Sequence, residues 1–200
     1  MSEQSAAATE LVDMVHLNEG IKEVVVIAFQ INIMALNAIL LANRAGRAAL
    51  GFSVISKELR VLSVELTRLM QLLKQDAYRS VALITDLLRQ ERRAKLMQTA
   101  NALSGEQCGA LKQRLGQQKQ AFSRIRSDIR QYRRELRVKL DDAQKICQFG
   151  IAISRSAKIE AAYGAAYSNQ LSEVSQDFDQ NIQAIVPALA ALHDGLGRQA

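Results

Sequence analysis

The side chains that most often carry chemistry are few and scattered in this chain. His16 and His193 are its two histidines and Cys108 and Cys147 its two cysteines, and neither pair has the short spacing of metal ligands. The neighbouring carboxylates of Asp141–Asp142 would point apart on a helix. The sequence contains no Ser/His/Asp or Cys/His grouping and no phosphate-binding loop motif. These residue types predict a protein that is not an enzyme and that uses no metal and no cofactor.

Composition favours long helices over a compact globular domain. The 200 residues include one Pro, ten Gly and only 4% aromatic residues, although 48% are hydrophobic. The formal net charge of +6 and the pI near 9.5 favour acidic partners. Two thiols without a secretory signal indicate a reduced location, and we expect the protein to be cytoplasmic.

Apolar residues spaced alternately by three and four predict the first two helices. The first seam comprises Leu17, Ile21, Val24, Ala28, Ile31, Ala35, Ala38, Ala42 and Ala45. The second comprises Phe52, Ile55, Leu59, Leu62, Leu66, Leu69 and Leu73. We expect helices from about Glu10 to Ala45 and from Gly51 to about Ala102. Gly46 and Gly51 flank the turn between them, so the two helices should fold back as an antiparallel hairpin.

The second half of the chain predicts another hairpin. Ser104–Gly105 should interrupt the helix. A very long helix should then start near Glu106 and end at a second turn near 164–169. A last helix follows, in which Pro187 should introduce a kink or start a new turn.

The first turn and its flanking helices resemble the signalling tip of bacterial methyl-accepting chemotaxis receptors. The resemblance covers about residues 20–75. It is carried by IAFQ-x-NI-x-ALNA from Ile27, A-x-RAG ending at Gly46, GF-x-V from Gly51 and E-x-R-x-L from Glu58. These motifs fix polar and aromatic positions as well as the apolar repeat, and we interpret the chain as a divergent member without transmembrane or sensor domains.

An internal repeat links the two hairpins. Residues 160–162 and 172–178 align without gaps on residues 41–43 and 53–59 at an offset of 119, which is seventeen heptads, so seam positions fall on seam positions. Receptor tips of the family are four-helix bundles built from two identical hairpins of a dimer. The sequence therefore predicts an all-α, long antiparallel four-helix bundle or coiled coil made of two tandem hairpins, a pseudo-dimer of a receptor tip within one chain.

The predicted organisation is one structural domain with two halves. Residues 1–102 form the first hairpin with the receptor-like tip, and residues 103–200 form a second, degenerate hairpin packed on the first. Because the second and third helices are the longest, the bundle should thin to a two-helix stalk far from the tip. We expect a monomer with an internal pseudo-dimer, and a homodimer remains the alternative.

The resemblance implies a function in signalling. Family tips dock the histidine kinase CheA and the coupling protein CheW and contact other receptors. The partner-binding positions would be Phe29, Ile33, Asn37, Arg44, Val54, Glu58 and Arg60, and the second tip would centre on Glu160 and Gly164. The alternative for Phe29 and Ile33 is packing inside the bundle, and the alternative for Asn37, Glu58 and Arg60 is a solvated face.

Departures from the family pattern are also informative. Leu41 stands where an acidic residue is expected, and the turn reads Arg47-Ala48-Ala49-Leu50, which should weaken contacts between receptors. The second tip retains Glu160 but lacks the Phe and Asn of the motif, so one side of the bundle alone should bind partners. Glu106-Gln107 is the sole doublet suited to the methylation seen in the family, and we expect a protein without that control.

Four further interpretations are open. Val24–Ala42 is nearly long enough to span a membrane, but it contains three amide side chains. The protein could be a structural or regulatory coiled coil without docking. The basic run from Arg124 to Lys139 could bind nucleic acid or acidic membrane. His16 and His193 could meet at the open end of the first and last helices and hold a metal or haem.

Overall fold

The computed structural model of the protein describes residues 3–103 and 109–197, and no β-strand occurs within these ranges. The four helices are α1 (Glu3–Ala45), α2 (Leu50–Leu103), α3 (Gly109–Ala162) and α4 (Ser168–Gly197). Two short 3₁₀ turns, Gly46–Ala49 and Ala165–Tyr167, connect α1 to α2 and α3 to α4. The prediction of an all-α helical bundle is confirmed.

The helix bounds follow the predicted seams with two corrections. α1 begins at Glu3 rather than Glu10, because alanines at positions 6–8 are strong helix formers and Glu3 favours the helix start. α4 continues through Pro187, so the predicted new turn does not occur there. Pro187 is exposed, and water can satisfy the carbonyl whose helical hydrogen bond the proline removes.

The chain forms two compact units that are described separately. Unit 1 comprises Met1–Val15 and Gln75–Leu136, and unit 2 comprises His16–Lys74 and Arg137–Ala200, within the described ranges. The predicted hairpins, 1–102 and 103–200, each contribute to both units, and that division of the chain stays a prediction. The predicted break at Ser104–Gly105 lies outside the described residues.

Unit 2 contains a segment of each of the four helices, and side-chain contacts give their directions. Gly51 and Gly150 of α2 and α3 face Glu160 and Leu62 respectively, so these helices run antiparallel. Gly150 also faces Ile182, and Arg137 donates to the Leu196 carbonyl at 2.7 Å, so α3 and α4 are antiparallel. On α1, Gly20 faces Leu192 and Met34 contacts Asn181, which makes α1 antiparallel to α4. Both turns consequently lie at one end of unit 2.

The core of unit 2 follows the internal repeat. At the offset of 119, fourteen buried positions of α1 and α2 coincide with fourteen buried positions of α3 and α4. In α1 and α2 they are Ile21, Val24, Ala28, Ile31, Ala35, Ala38, Ala42, Phe52, Ser56, Leu59, Ser63, Leu66, Met70 and Leu73. The turns also correspond, because Gly46 (φ +67°) and Ala165 (φ +49°) are 119 residues apart and are the described residues with positive φ. Burial and backbone conformation therefore repeat as the sequence does.

Unit 1 contains the first part of α1, the C-terminal half of α2 and the N-terminal half of α3. Its buried residues on α2 recur every three or four positions from Ala77 to Ala94, but the series includes the polar residues Ser80 and Glu91. Arg126 of α3 lies 3.3 Å from the Glu91 carboxylate, and Gln118 donates to the Gln90 carbonyl at 3.2 Å. The seam of unit 1 is therefore more polar than the seam of unit 2.

Candidate functional site

The first turn is built by a glycine that ends α1. Gly46 adopts φ +67°, a left-handed conformation that a side chain disfavours and that commonly terminates helices. The 3₁₀ turn Gly46–Ala49 follows, with Ala49 buried, and α2 starts at Leu50. The chain thus reverses within four residues and presents α1 and α2 side by side.

One face of α1 beside this turn is exposed and largely apolar. Phe29 is 61% exposed and Ile33 is 41% exposed, so the alternative that these two side chains pack inside the bundle is wrong. Leu40 is also exposed, and Asn37 and Arg44 lie on the same side of the helix and are exposed. The structure brings these predicted residues to one surface, and their binding to a partner stays a prediction.

The predicted residues of α2 divide between two sides of that helix. Val54 is 57% exposed, and Glu58 lies one turn further along the same face. Arg60 is exposed as well, but two residues from Glu58 on a helix it projects from a different side. The sequence pattern assigned Val54, Glu58 and Arg60 to one contact surface and did not indicate that they lie on two sides of α2.

Arg60 lines a shallow apolar depression that the sequence analysis missed. The depression has a volume of about 320 Å³ and is lined by Lys57, Arg60, Val61, Val64 and Glu65. Arg68 holds the Glu65 carboxylate at 2.6 Å and lowers the pKa of that carboxyl group. The sequence could have indicated this depression, because neither valine is a seam position of α2 and both therefore face outward.

A carboxylate next to the second turn lies against the first turn. Glu160 is half-buried, and its carboxylate lies so close to Gly51 that a Cβ atom there would overlap it. Gly164 is buried against Leu171, and its amide donates to the Ala161 carbonyl at 3.1 Å. Ala165 then takes the left-handed conformation that Gly46 has in the first turn. Glycine at position 51 thus leaves room for the Glu160 carboxylate before the second turn.

A polar network joins α3 to α4 next to the second turn. The Lys158 ammonium lies 2.5 Å from one Asp179 oxygen, and the Ser154 hydroxyl donates to the other oxygen at 3.1 Å. The lysine contact, assisted by the serine, lowers the pKa of the Asp179 carboxyl group below its usual 3.8. At the repeat offset the first hairpin has Ile39, Arg60 and Ala35, so this network belongs to the second hairpin alone.

His16, His193 and Cys147 are the remaining histidine and cysteine side chains among the residues that the structure describes. His16 is exposed, whereas His193 lies 3.4 Å from the Asp141 carboxylate. Burial raises the pKa of the Cys147 thiol to about 12, so this thiol is not a nucleophile near neutral pH. Within residues 3–103 and 109–197, no three His, Cys, Asp or Glu side chains come together as metal ligands. Cys108 and the Glu106-Gln107 doublet lie outside the described residues.

One helical stretch bears on the membrane-spanning interpretation. Part of the segment Leu11–Ala100 is long and apolar enough to cross a membrane by length and composition. The core helix of a soluble protein meets the same two criteria, which makes a single such stretch weak support for a membrane span.

Comparison with known proteins assigns the chain by family. The family profile of the methyl-accepting chemotaxis protein signalling domain matches residues 3–136. The matched range contains the first turn and both exposed faces beside it, and it stops before the second turn. A search of curated proteins finds no match.

Proposed function

Because the chain belongs to the family of methyl-accepting chemotaxis protein signalling domains, we propose that the first turn and the exposed faces of α1 and α2 dock the chemotaxis kinase CheA and the adaptor CheW. Signalling domains of this family are non-enzymatic, are cytoplasmic in receptors and in general interact with these two proteins. The protein is a chemoreceptor-like signalling module. Docking by this chain, its association with other receptors and its cytoplasmic location are part of the proposal.

The observation that carries the proposal is the exposure of the seven motif residues in unit 2. Phe29, Ile33 and Val54 are apolar, and leaving each of them in water forgoes burial worth roughly 1.5–3 kcal/mol. Asn37 and Arg44 on α1 and Glu58 on α2 are exposed beside them and add polar groups, and Arg60 is exposed on another side of α2. Apolar anchors within a polar rim are the usual composition of a protein-binding surface.

The proposal places the docking surface on one side of the bundle. At the repeat offset, Phe29, Ile33 and Val54 are replaced by Gln148, Ala152 and Glu173. The equivalent face of the second hairpin therefore lacks these three anchors and keeps Ile159 where the first has Leu40, so it should not bind the adaptor. Four helical segments from one chain already surround the core of unit 2, which supports a monomer that binds one adaptor molecule.

The test uses two variants at equivalent positions of the repeat. Ile33→Arg introduces a charge into the proposed anchor and should weaken capture of purified CheW by at least about tenfold, since an interfacial anchor typically contributes more than 1 kcal/mol. Ala152→Arg introduces the same side chain at the exposed equivalent position and should leave capture unchanged. Circular dichroism should show equal helix content, since neither residue is buried.

Two results would contradict the proposal. If Ile33→Arg leaves the capture of CheW unchanged, the docking surface does not lie on α1. Failure of the unmodified chain to capture either CheW or CheA would favour the alternative, a structural or regulatory helical bundle that has kept the hairpins and lost docking.

A further inference from the structure

Positive charge is concentrated at one end of the chain's two longest helices. Residues 89–134 contain twelve Lys and Arg against three carboxylates, a net charge of +9. The whole chain has a net charge of +6, so the remaining residues carry −3. All of residues 89–134 belong to unit 1, whereas the proposed docking tip belongs to unit 2. The charge is therefore a separate feature that docking does not use.

The basic residues of α3 form a stripe. Lys119, Arg126, Arg130 and Arg134 are spaced by seven, four and four residues, which places them on one face of the helix, and all four are exposed. The stripe extends over about 22 Å at 1.5 Å per residue. The carboxylates of Asp128 and Glu135 fall on another side of α3, so they leave the field of the stripe intact.

The neighbouring end of α2 adds cations and an apolar side chain. Arg89, Arg92 and Arg93 are exposed, and Leu96 lies on the same face with 64% of its surface in water. A leucine surrounded by arginines is costly in water, but at a lipid surface it enters the boundary between headgroups and acyl chains. The face thus combines the two features that attract proteins to anionic membranes.

A groove in unit 1 can accept a headgroup. It has a volume of about 510 Å³, and its lining includes Lys119, Ser123, Arg126, Arg130 and Glu91. Arg126 contacts the single carboxylate of this lining, that of Glu91, at 3.3 Å. Lys119 and Arg130 direct their charge to the same groove, and the Ser123 hydroxyl can donate to a phosphate oxygen.

We propose that the basic ends of α2 and α3 in unit 1 bind the surface of an anionic phospholipid bilayer. Nucleic acid fits less well, because Phe122 and Tyr132 are half-buried and leave little of either ring face free for base stacking. An exposed leucine among the cations also has no role on a phosphate backbone. The bilayer is bound peripherally, with the cations of the stripe and the groove on phospholipid headgroups.

The test is co-sedimentation of the full chain with phospholipid vesicles. The chain should bind phosphatidylcholine vesicles that contain phosphatidylserine, should not bind vesicles of phosphatidylcholine alone, and should dissociate as salt is raised. A triple variant, Lys119→Gln, Arg130→Gln and Arg134→Gln, should bind about 100-fold more weakly, because each cation near an anionic surface contributes about fivefold in affinity.

A matched control removes the same charge elsewhere. Arg47→Gln, Lys57→Gln and Arg155→Gln change three exposed cations of unit 2 and should alter vesicle binding by less than about twofold. An equal loss in this control, or tighter binding to duplex DNA than to the anionic vesicles at the same salt, would overturn the proposal. CheW capture by the Lys119/Arg130/Arg134 variant should be unchanged, which separates this result from that of the docking tip.

Discussion

The two turns of unit 2 have the same interior and different surfaces. Fully buried Phe52 and Leu59 of the first hairpin correspond to fully buried Leu171 and Phe178 of the second, and Gly46 and Ala165 share the left-handed conformation. On the outside, however, the apolar residues Phe29 and Ile33 correspond to Gln148 and Ala152. The repeat thus preserves the residues that close the core, whereas exposed residues such as Phe29 and Ile33 differ between the two hairpins.

This difference indicates separate constraints on packing and on binding. A buried position must hold a side chain that packs in the shared core, apolar or a small serine, since a cavity there destabilises the whole unit. An exposed position is free to change unless a partner occupies it. The apolar face of α1 is therefore the side where a partner would have preserved the residues.

The largest expected effect comes from truncating the shared core in each hairpin. Phe52→Ala and Leu171→Ala remove fully buried side chains at equivalent positions, and each should lower the free energy of unfolding by about 3 kcal/mol. Urea denaturation followed by circular dichroism measures both losses. The exposed Val54→Ala should change stability by less than about 0.5 kcal/mol. A loss below about 1 kcal/mol for Leu171→Ala alone would show that the second hairpin does not share the core.

An intermediate effect on stability is expected from substitutions at the left-handed residue of each turn. Gly46→Ala places a side chain at φ +67° and should destabilise the protein by about 1 kcal/mol. Ala165→Gly relieves the same conformation at φ +49°, partly offset by the larger entropy of the unfolded chain, and should stabilise it by a few tenths of a kcal/mol, roughly. Thermal melts should therefore move in opposite directions. A shift of the same sign in both variants would disprove the equivalence of the two turns.

A loss no larger than that of Gly46→Ala is expected from the network that the second hairpin alone possesses. Asp179→Asn removes the partner of Lys158 and should cost about 1 kcal/mol of stability at pH 7. The pKa of Asp179 is lowered in the folded state, so its contribution is present above the unfolded pKa, near 4, and is lost as the pH falls through the folded pKa.

The difference between the wild type and Asp179→Asn should accordingly vanish in acid, as measured by denaturation at a series of pH values. Asp177→Asn, at an exposed neighbouring position, serves as the control. A difference that persists unchanged below the folded pKa would mean that the carboxylate charge is not what Lys158 stabilises.

The features that were predictable from the sequence depend on local patterns. The spacing of Leu17, Ile21 and Val24 predicts their burial in α1, and the offset of 119 predicts the burial of Phe178 from that of Leu59. These features can be predicted from the sequence because each position on a helix has a fixed direction relative to its neighbours.

Other features depend on contacts between distant segments and could not be predicted from the sequence. The approach of Glu160 to Gly51 and the depression beside Val61 and Val64 require the packed helices. The left-handed Ala165 follows from the closure of the second turn, because alanine has no preference for that conformation. The passage of α4 through Pro187 depends on which side of the helix faces solvent.

The most direct test of one-sided docking is a calorimetric titration of the chain with CheW. The unmodified chain and Ala152→Arg should each bind one CheW per chain with equal affinity, and Ile33→Arg should bind at least about tenfold more weakly. Two CheW molecules per chain, or a loss of affinity in Ala152→Arg equal to that in Ile33→Arg, would contradict the account.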